Sequence, residues 1–92
     1  MRRAAKADSM QGEIVKALRK IGARPYYVKE PLDLLVGYRG ANYLLEVKDA
    51  HGTLTKAQTD FIAAWPGQHA IVRTPEEAIA AVMGSDATRE ST

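Results

Sequence analysis

Met10, Ile14, Ala17, Leu18 and Ile21 recur at spacings of three and four, and predict a helix from about Asp8 to Ile21. Asp8 or Ser9 is its expected cap and Gly22 its stop. The pattern then turns to short apolar runs, which predict strands at Tyr26–Val28, Leu34–Val36 and Tyr43–Lys48. Tyr38–Asn42 reads as the turn between the last two. Thr55 is placed to cap a helix from Lys56 to Trp65, which Pro66-Gly67 ends. A fourth strand is expected at His69–Arg73. Thr74-Pro75-Glu76-Glu77 is a helix start, with a capping Thr, Pro at the first helical position and acids in the first turn. That last helix is expected to end near Met83. The order αβββαβα predicts an α/β domain, a mixed sheet flanked by helices.

With 92 residues, a single small domain with a thin core is expected. We read residues 1–7 as a basic N-terminal arm, 8–83 as the domain and 84–92 as a polar, flexible tail. The chain has no cysteine, which excludes disulfides, thiolate-bound zinc and cysteine nucleophiles. No apolar run approaches the length of a membrane span, and no apolar stretch follows the basic N-terminus as in a signal peptide, so a cytoplasmic location is expected. The net charge of +2 hides an asymmetry of +6 over residues 1–29, −1 over 30–75 and −3 over 76–92. A basic first third suits a polyanionic partner, most simply nucleic acid. Arg2, Arg3, Lys6, Lys16, Lys20, Arg39, His51 and Lys56 are the candidate DNA contacts. Tyr26, Tyr27, Tyr38, Tyr43 and Trp65 are expected in the core rather than against bases.

Candidate chemistry concentrates in the hairpin. If its turn centres on Gly40-Ala41, opposite residues have numbers adding to 81 and Asp33 faces Lys48. Side chains alternate along a strand, so Asp33, Glu46 and Lys48 share one face. Two adjacent carboxylates repel unless a proton or cation lies between them. Such oxygen ligands suit Mg²⁺ or Mn²⁺, and a lysine beside them can stabilise charge on a phosphate. Against this stands a plain cross-strand ion pair with Glu46 in water. The continuous apolar run Leu44-Leu45-Glu46-Val47 favours a buried Glu46, which needs a partner. Gln58 shares a helical face with Phe61, Ile62 and Trp65, and as a lone polar residue there it also needs one.

Pro31-Leu32-Asp33, a hairpin, and Glu46-Val47-Lys48 resemble the PD-(D/E)XK nuclease motif. Together with Asp33-Leu34-Leu35-Val36-Gly37-Tyr38, Leu54-Thr55-Lys56-Ala57-Gln58, Trp65-Pro66-Gly67-Gln68 and Thr74-Pro75-Glu76-Glu77-Ala78, they resemble the VRR-NUC family, in particular its small stand-alone members from bacteriophages and bacteria. The resemblance covers roughly residues 9–83 and implies a restriction-endonuclease-like αβββαβ core. It implies a Mg²⁺- or Mn²⁺-dependent DNA nuclease selective for Holliday junctions or flaps. Asp33 and Glu46 would hold the metal with the backbone carbonyl of Val47, and Lys48 would be the catalytic lysine. Glu13 matches the first-helix acid of Holliday-junction-resolvase relatives, a further metal ligand, and Gln58 the glutamine of the helix after the motif. Leu32 departs from the pattern, which has Pro directly before Asp. Symmetrical cleavage of a junction needs two sites, so a C2 homodimer is implied. The rival reading is a non-catalytic nucleic-acid-binding module on the same fold; a third is a purely structural ion-pair network.

Overall fold

In a computed structural model of the chain, the backbone is described for residues 2–91 and the side chains for residues 10–84. Helix α1 spans Arg2–Lys20, strands β1 Arg24–Tyr27, β2 Leu34–Tyr38 and β3 Ala41–Val47 follow, then α2 Lys56–Ala64, β4 His69–Val72 and α3 Pro75–Ser91. The sheet order is β1-β2-β3-β4, antiparallel at the first two junctions and parallel between β3 and β4. Helix α2 makes the crossover that a parallel pair requires. This is the mixed, helix-flanked α/β sheet expected from the sequence.

The strand bounds shift by one or two residues from the expectation, β1 to Arg24–Tyr27, β2 to Leu34–Tyr38 and β3 to Ala41–Val47, and two helix ends differ by more. Helix α1 runs through Asp8 and Ser9 to Arg2, because Arg2-Arg3-Ala4-Ala5-Lys6-Ala7 consists of strong helix formers. The segment read as an arm is thus helical backbone; the side chains of Arg2, Arg3 and Lys6 lie outside the described residues. Likewise α3 continues past Met83 through most of the segment read as a tail. The stop at Gly22 is as expected, and takes the Schellman form. The Ala23 amide donates to the Leu18 carbonyl at 3.0 Å and Gly22 to Arg19 at 3.1 Å, with Gly22 at φ +91°.

One face of the sheet carries the core. Ile14, Val15 and Leu18 of α1 and Ala78 and Val82 of α3 pack on Leu34, Val36, Tyr38, Tyr43, Leu45 and Val72. The Tyr43 hydroxyl donates to the Val82 carbonyl at 3.1 Å, which satisfies both buried groups. The aromatic residues divide against expectation. Tyr38 and Tyr43 are buried, but Tyr26, Tyr27 and Trp65 are 55%, 58% and 39% exposed. Strand β1 is an edge with a neighbour on one side only, and the described part of α2 contains no buried residue, so neither can cover its rings. Trp65 stacks instead on Phe61, ring centres 5.1 Å apart.

The hairpin register is also corrected. Tyr38 pairs with Ala41, Val36 with Tyr43 and Leu34 with Leu45, so opposite numbers add to 79. The turn centres on Arg39-Gly40, at φ +51° and +82°, as a two-residue turn with positive φ at both central positions demands. Arg39 lies over the Tyr38 ring, 5.3 Å from its centre. A shift of two residues preserves every side-chain face and changes only which residues oppose.

Candidate active site

Extending that register one step past Leu34 and Leu45 sets Asp33 opposite Glu46 rather than Lys48. Both lie on the sheet face away from the core, with Lys48 one alternation further along. Asp33 is fixed at the mouth of β2. Its Oδ2 accepts the Val47 amide at 2.9 Å, and its carbonyl accepts from the amides of Val28 at 2.9 Å and Lys29 at 3.4 Å. The side chain therefore ties the end of β3, while the backbone closes the β1–β2 loop.

Among the described residues, Glu46 is the one charged residue that is buried, 2% exposed. Its Oε2 accepts from Gln58 Nε2 at 2.8 Å and lies 3.3 Å from the Lys48 ammonium. Its Oε1 is buried with no hydrogen-bond partner. Burial, and then the charge of Asp33, push the Glu46 carboxyl above its ordinary pKa, while Lys48 pulls the other way. An orphaned buried carboxylate oxygen is costly unless something occupies its open side.

The orientation of Gln58 follows from α2. Thr55 and Gln58 form a capping box: Thr55 Oγ1 accepts the Gln58 amide at 3.1 Å, and Gln58 Oε1 accepts the Thr55 amide at 3.0 Å. With Oε1 committed there, Nε2 is the end that meets Glu46. The cap thus fixes a donor on Oε2 and leaves Oε1 as the open oxygen. The loop after Lys48 is braced separately by Arg73, whose Nη1 donates to the carbonyls of Asp49 at 2.7 Å and Gly52 at 3.3 Å.

Asp33, Glu46, Lys48 and Gln58 are therefore joined through direct contacts and the Val47 amide, and Val47 stands between Glu46 and Lys48 at the end of β3. Glu13 is exposed on α1, and no contact among the described residues joins it to the others. Among the described residues of α1, it is Gln11 that lines a cleft of about 540 Å³ with Tyr27, Lys29 and Asp33. Gln11 precedes Ile14, Val15 and Leu18 by three, four and seven residues, so it sits on the edge of the buried stripe and Glu13 does not. The signal that singles out Gln58, a polar residue at apolar spacing, also marks Gln11. Lys16, Lys20, Arg39, His51 and Lys56 are exposed and scattered, Lys56 pairing with Asp60 at 3.1 Å.

The donor set suits a small hard cation. It offers the open Oε1 of Glu46 and the carboxylate of Asp33, all oxygen. Among the described residues no group of three or more acidic or histidine side chains is arranged around a metal position. Mg²⁺ needs no such cage, since one or two carboxylates with water and phosphate oxygens complete its shell. The geometry thus defines an α/β domain with a paired-carboxylate and lysine cluster on the outer sheet face.

No family model and no curated protein matches the sequence. A solved structure titled "VRR_NUC domain" superposes with a TM-score of 0.71 at 17% identity, covering 85% of this chain and 95% of that one. The chain has the fold of a VRR-NUC domain.

Proposed function

We propose that this protein is a metal-dependent DNA nuclease that hydrolyses phosphodiester bonds, with a preference for branched substrates such as Holliday junctions or flaps. The observation that carries the reading is the buried Glu46, clamped on one oxygen by Lys48 and Gln58 and open on the other beside Asp33. A buried anion with an unused oxygen is an expensive feature in a small domain, and a cation at that oxygen offsets its cost. Asp33 and Glu46 would hold Mg²⁺ or Mn²⁺, which supplies polarisation of the phosphate and a more acidic bound water. Lys48 stands at the open edge, where its ammonium can donate to a non-bridging phosphate oxygen as negative charge builds there. Gln58 acts through Glu46 by holding its Oε2. The VRR-NUC likeness of the fold supports the same chemistry. Paired incision of a junction calls for two such sites, and with it a homodimer.

The test uses labelled four-way junction, flap, duplex and single-stranded DNA with Mg²⁺, with Mn²⁺ and with EDTA. Cleavage is expected only with metal, and Lys48→Ala is expected to reduce it by about 10²–10³-fold, the usual cost of one lost charge-stabilising donor. Binding without cleavage in every metal would leave a nucleic-acid-binding module and overturn the nuclease reading.

A further inference from the structure

Lys48 follows the last residue of β3, and its amide donates to the Val72 carbonyl of β4 at 3.0 Å. One step past the Val47–Val72 pair, the parallel register sets Arg73 beside Lys48, on the same outer face of the sheet. Two cations thus stand as neighbours, yet among the described residues only Lys48 lies within ion-pairing distance of Glu46. The Arg73 guanidinium is committed elsewhere, its Nη1 donating to the carbonyls of Asp49 at 2.7 Å and Gly52 at 3.3 Å. At its base the Arg73 amide donates to Glu77 Oε1 at 2.7 Å, in the first turn of α3.

Those two carbonyls belong to the two ends of one tight turn. The Gly52 amide donates back to the Asp49 carbonyl at 3.1 Å, and Asp49 Oδ1 accepts the His51 amide at 3.0 Å. The Asp49 carbonyl therefore accepts twice, once from within the turn and once from Arg73, which occupies both of its lone pairs. The turn lies against Lys48. A Cβ at Gly52 would stand 3.4 Å from both Cβ and Cδ of Lys48 and 3.2 Å from Asp49 Oδ1, so the bare backbone packs on the lysine stem. The Lys48 side chain is accordingly 18% exposed, against 86% for Lys56.

We infer that Arg73 is a positioning residue for Lys48. By strapping the Asp49–Gly52 turn to the end of β4, it keeps the turn as a wall along the lysine stem and the ammonium at the carboxylate cluster. A lysine stem is long and flexible, and its charge is a point without a preferred direction. Three contacts restrict this one: the ladder bond at its amide, the Gly52 wall along its middle and the ion pair at its tip. Lys48 makes the first and the last itself; the wall is the one that depends on Arg73. The inference rests on the proposed nuclease reading and adds to it a residue that acts through Lys48.

Two variants loosen the wall from opposite sides. Arg73→Met removes the strap at similar volume, and Gly52→Ala keeps every charge but crowds the turn off the stem. Carbon-13 relaxation of the Lys48 ε-methylene in metal-free protein reads the effect without any cleavage. Wild-type Lys48 is expected to be more ordered than Lys56, and in both variants to approach it. Single-turnover cleavage of a four-way junction with Mg²⁺, at saturating DNA, is expected to slow by about 10- to 100-fold, the scale of a misplaced catalytic group. On a Lys48→Ala background Arg73→Met is expected to cost nothing further. Thermal melts confirm that each variant is folded, and Gly52→Ala carries the test where Arg73→Met does not fold. Full cleavage by a folded variant, or an equal further loss on the Lys48→Ala background, would overturn the strap. An unchanged Lys48 order in both variants, with wild-type cleavage intact, would sink the strap alone. No cleavage by wild type in any metal, with Lys48 released in both variants, would sink the nuclease reading alone.

Discussion

At Glu46 the protein keeps a carboxylate where solvent cannot reach it. Its raised pKa comes first from burial and then from Asp33, so the folded state holds this proton more tightly than the unfolded chain. The sign follows from linkage. As pH rises through the unfolded value and then the higher folded one, the folded state gives up its proton last, and stability falls across that interval. Metal-free protein in chelator is therefore expected to lose stability there relative to Glu46→Gln, and the difference between their melting curves against pH checks it. Mg²⁺ or Mn²⁺ should act on the same group. At ten times its dissociation constant, a cation bound to the folded state alone adds about 1.4 kcal/mol. In a domain of this size that is read at roughly 4–8 °C per kcal/mol. The gain is expected in wild type and absent in Glu46→Gln. Gln58→Ala tests the clamp. It leaves Oε2 to Lys48 alone, and the metal concentration for half-maximal cleavage is expected to rise about 10- to 100-fold.

The hairpin and the cap of α2 do the positioning at the next scale. Gly40 sits at φ +82° with open space where a Cβ would stand, so Gly40→Ala carries a backbone penalty and no clash. It is expected to cost about 1–2 kcal/mol, read in denaturant or thermal unfolding, with the site chemistry intact in the folded fraction. The same turn shows what sequence could and could not reveal. Alternation placed Asp33, Glu46 and Lys48 on one face whichever two-residue turn was chosen, because registers 79 and 81 share a parity. Which of Arg39-Gly40 or Gly40-Ala41 forms the turn depends on an arginine accepting φ +51° over a tyrosine ring, and no periodicity reports that. The cap at Thr55 was legible from spacing, but the orientation of the Gln58 amide needed three elements in place. The resemblance points to Glu13 on α1, which is exposed, whereas the residue that lines a cleft with Asp33 is Gln11, at apolar spacing on the same helix. Tyr26 and Tyr27 read as core by residue type, and only the strand order shows that they stand at an edge.

Across the whole molecule, chemistry and core occupy opposite faces of one four-stranded sheet. Helices α1 and α3 cover one face, and the short α2, with its single polar reach to Glu46, covers part of the other. Leu35 and Ile71, on that outer face, remain 39% and 37% exposed. On the proposed nuclease reading, a single copy would bring one cluster to one phosphodiester, and strands that run antiparallel across a junction present their phosphates related by a two-fold axis. Two copies about a C2 axis would meet that symmetry with one surface used twice. Sedimentation equilibrium at several concentrations, with and without a four-way junction, should then give a mass of two chains on the junction. Mixing wild type with an excess of Lys48→Ala would separate the possibilities. If two copies cut together, mixed dimers nick one strand of the junction and the linear product falls away faster than nicks do. If one copy suffices, nicks and linear product decline together with the wild-type fraction, and the paired assembly is wrong.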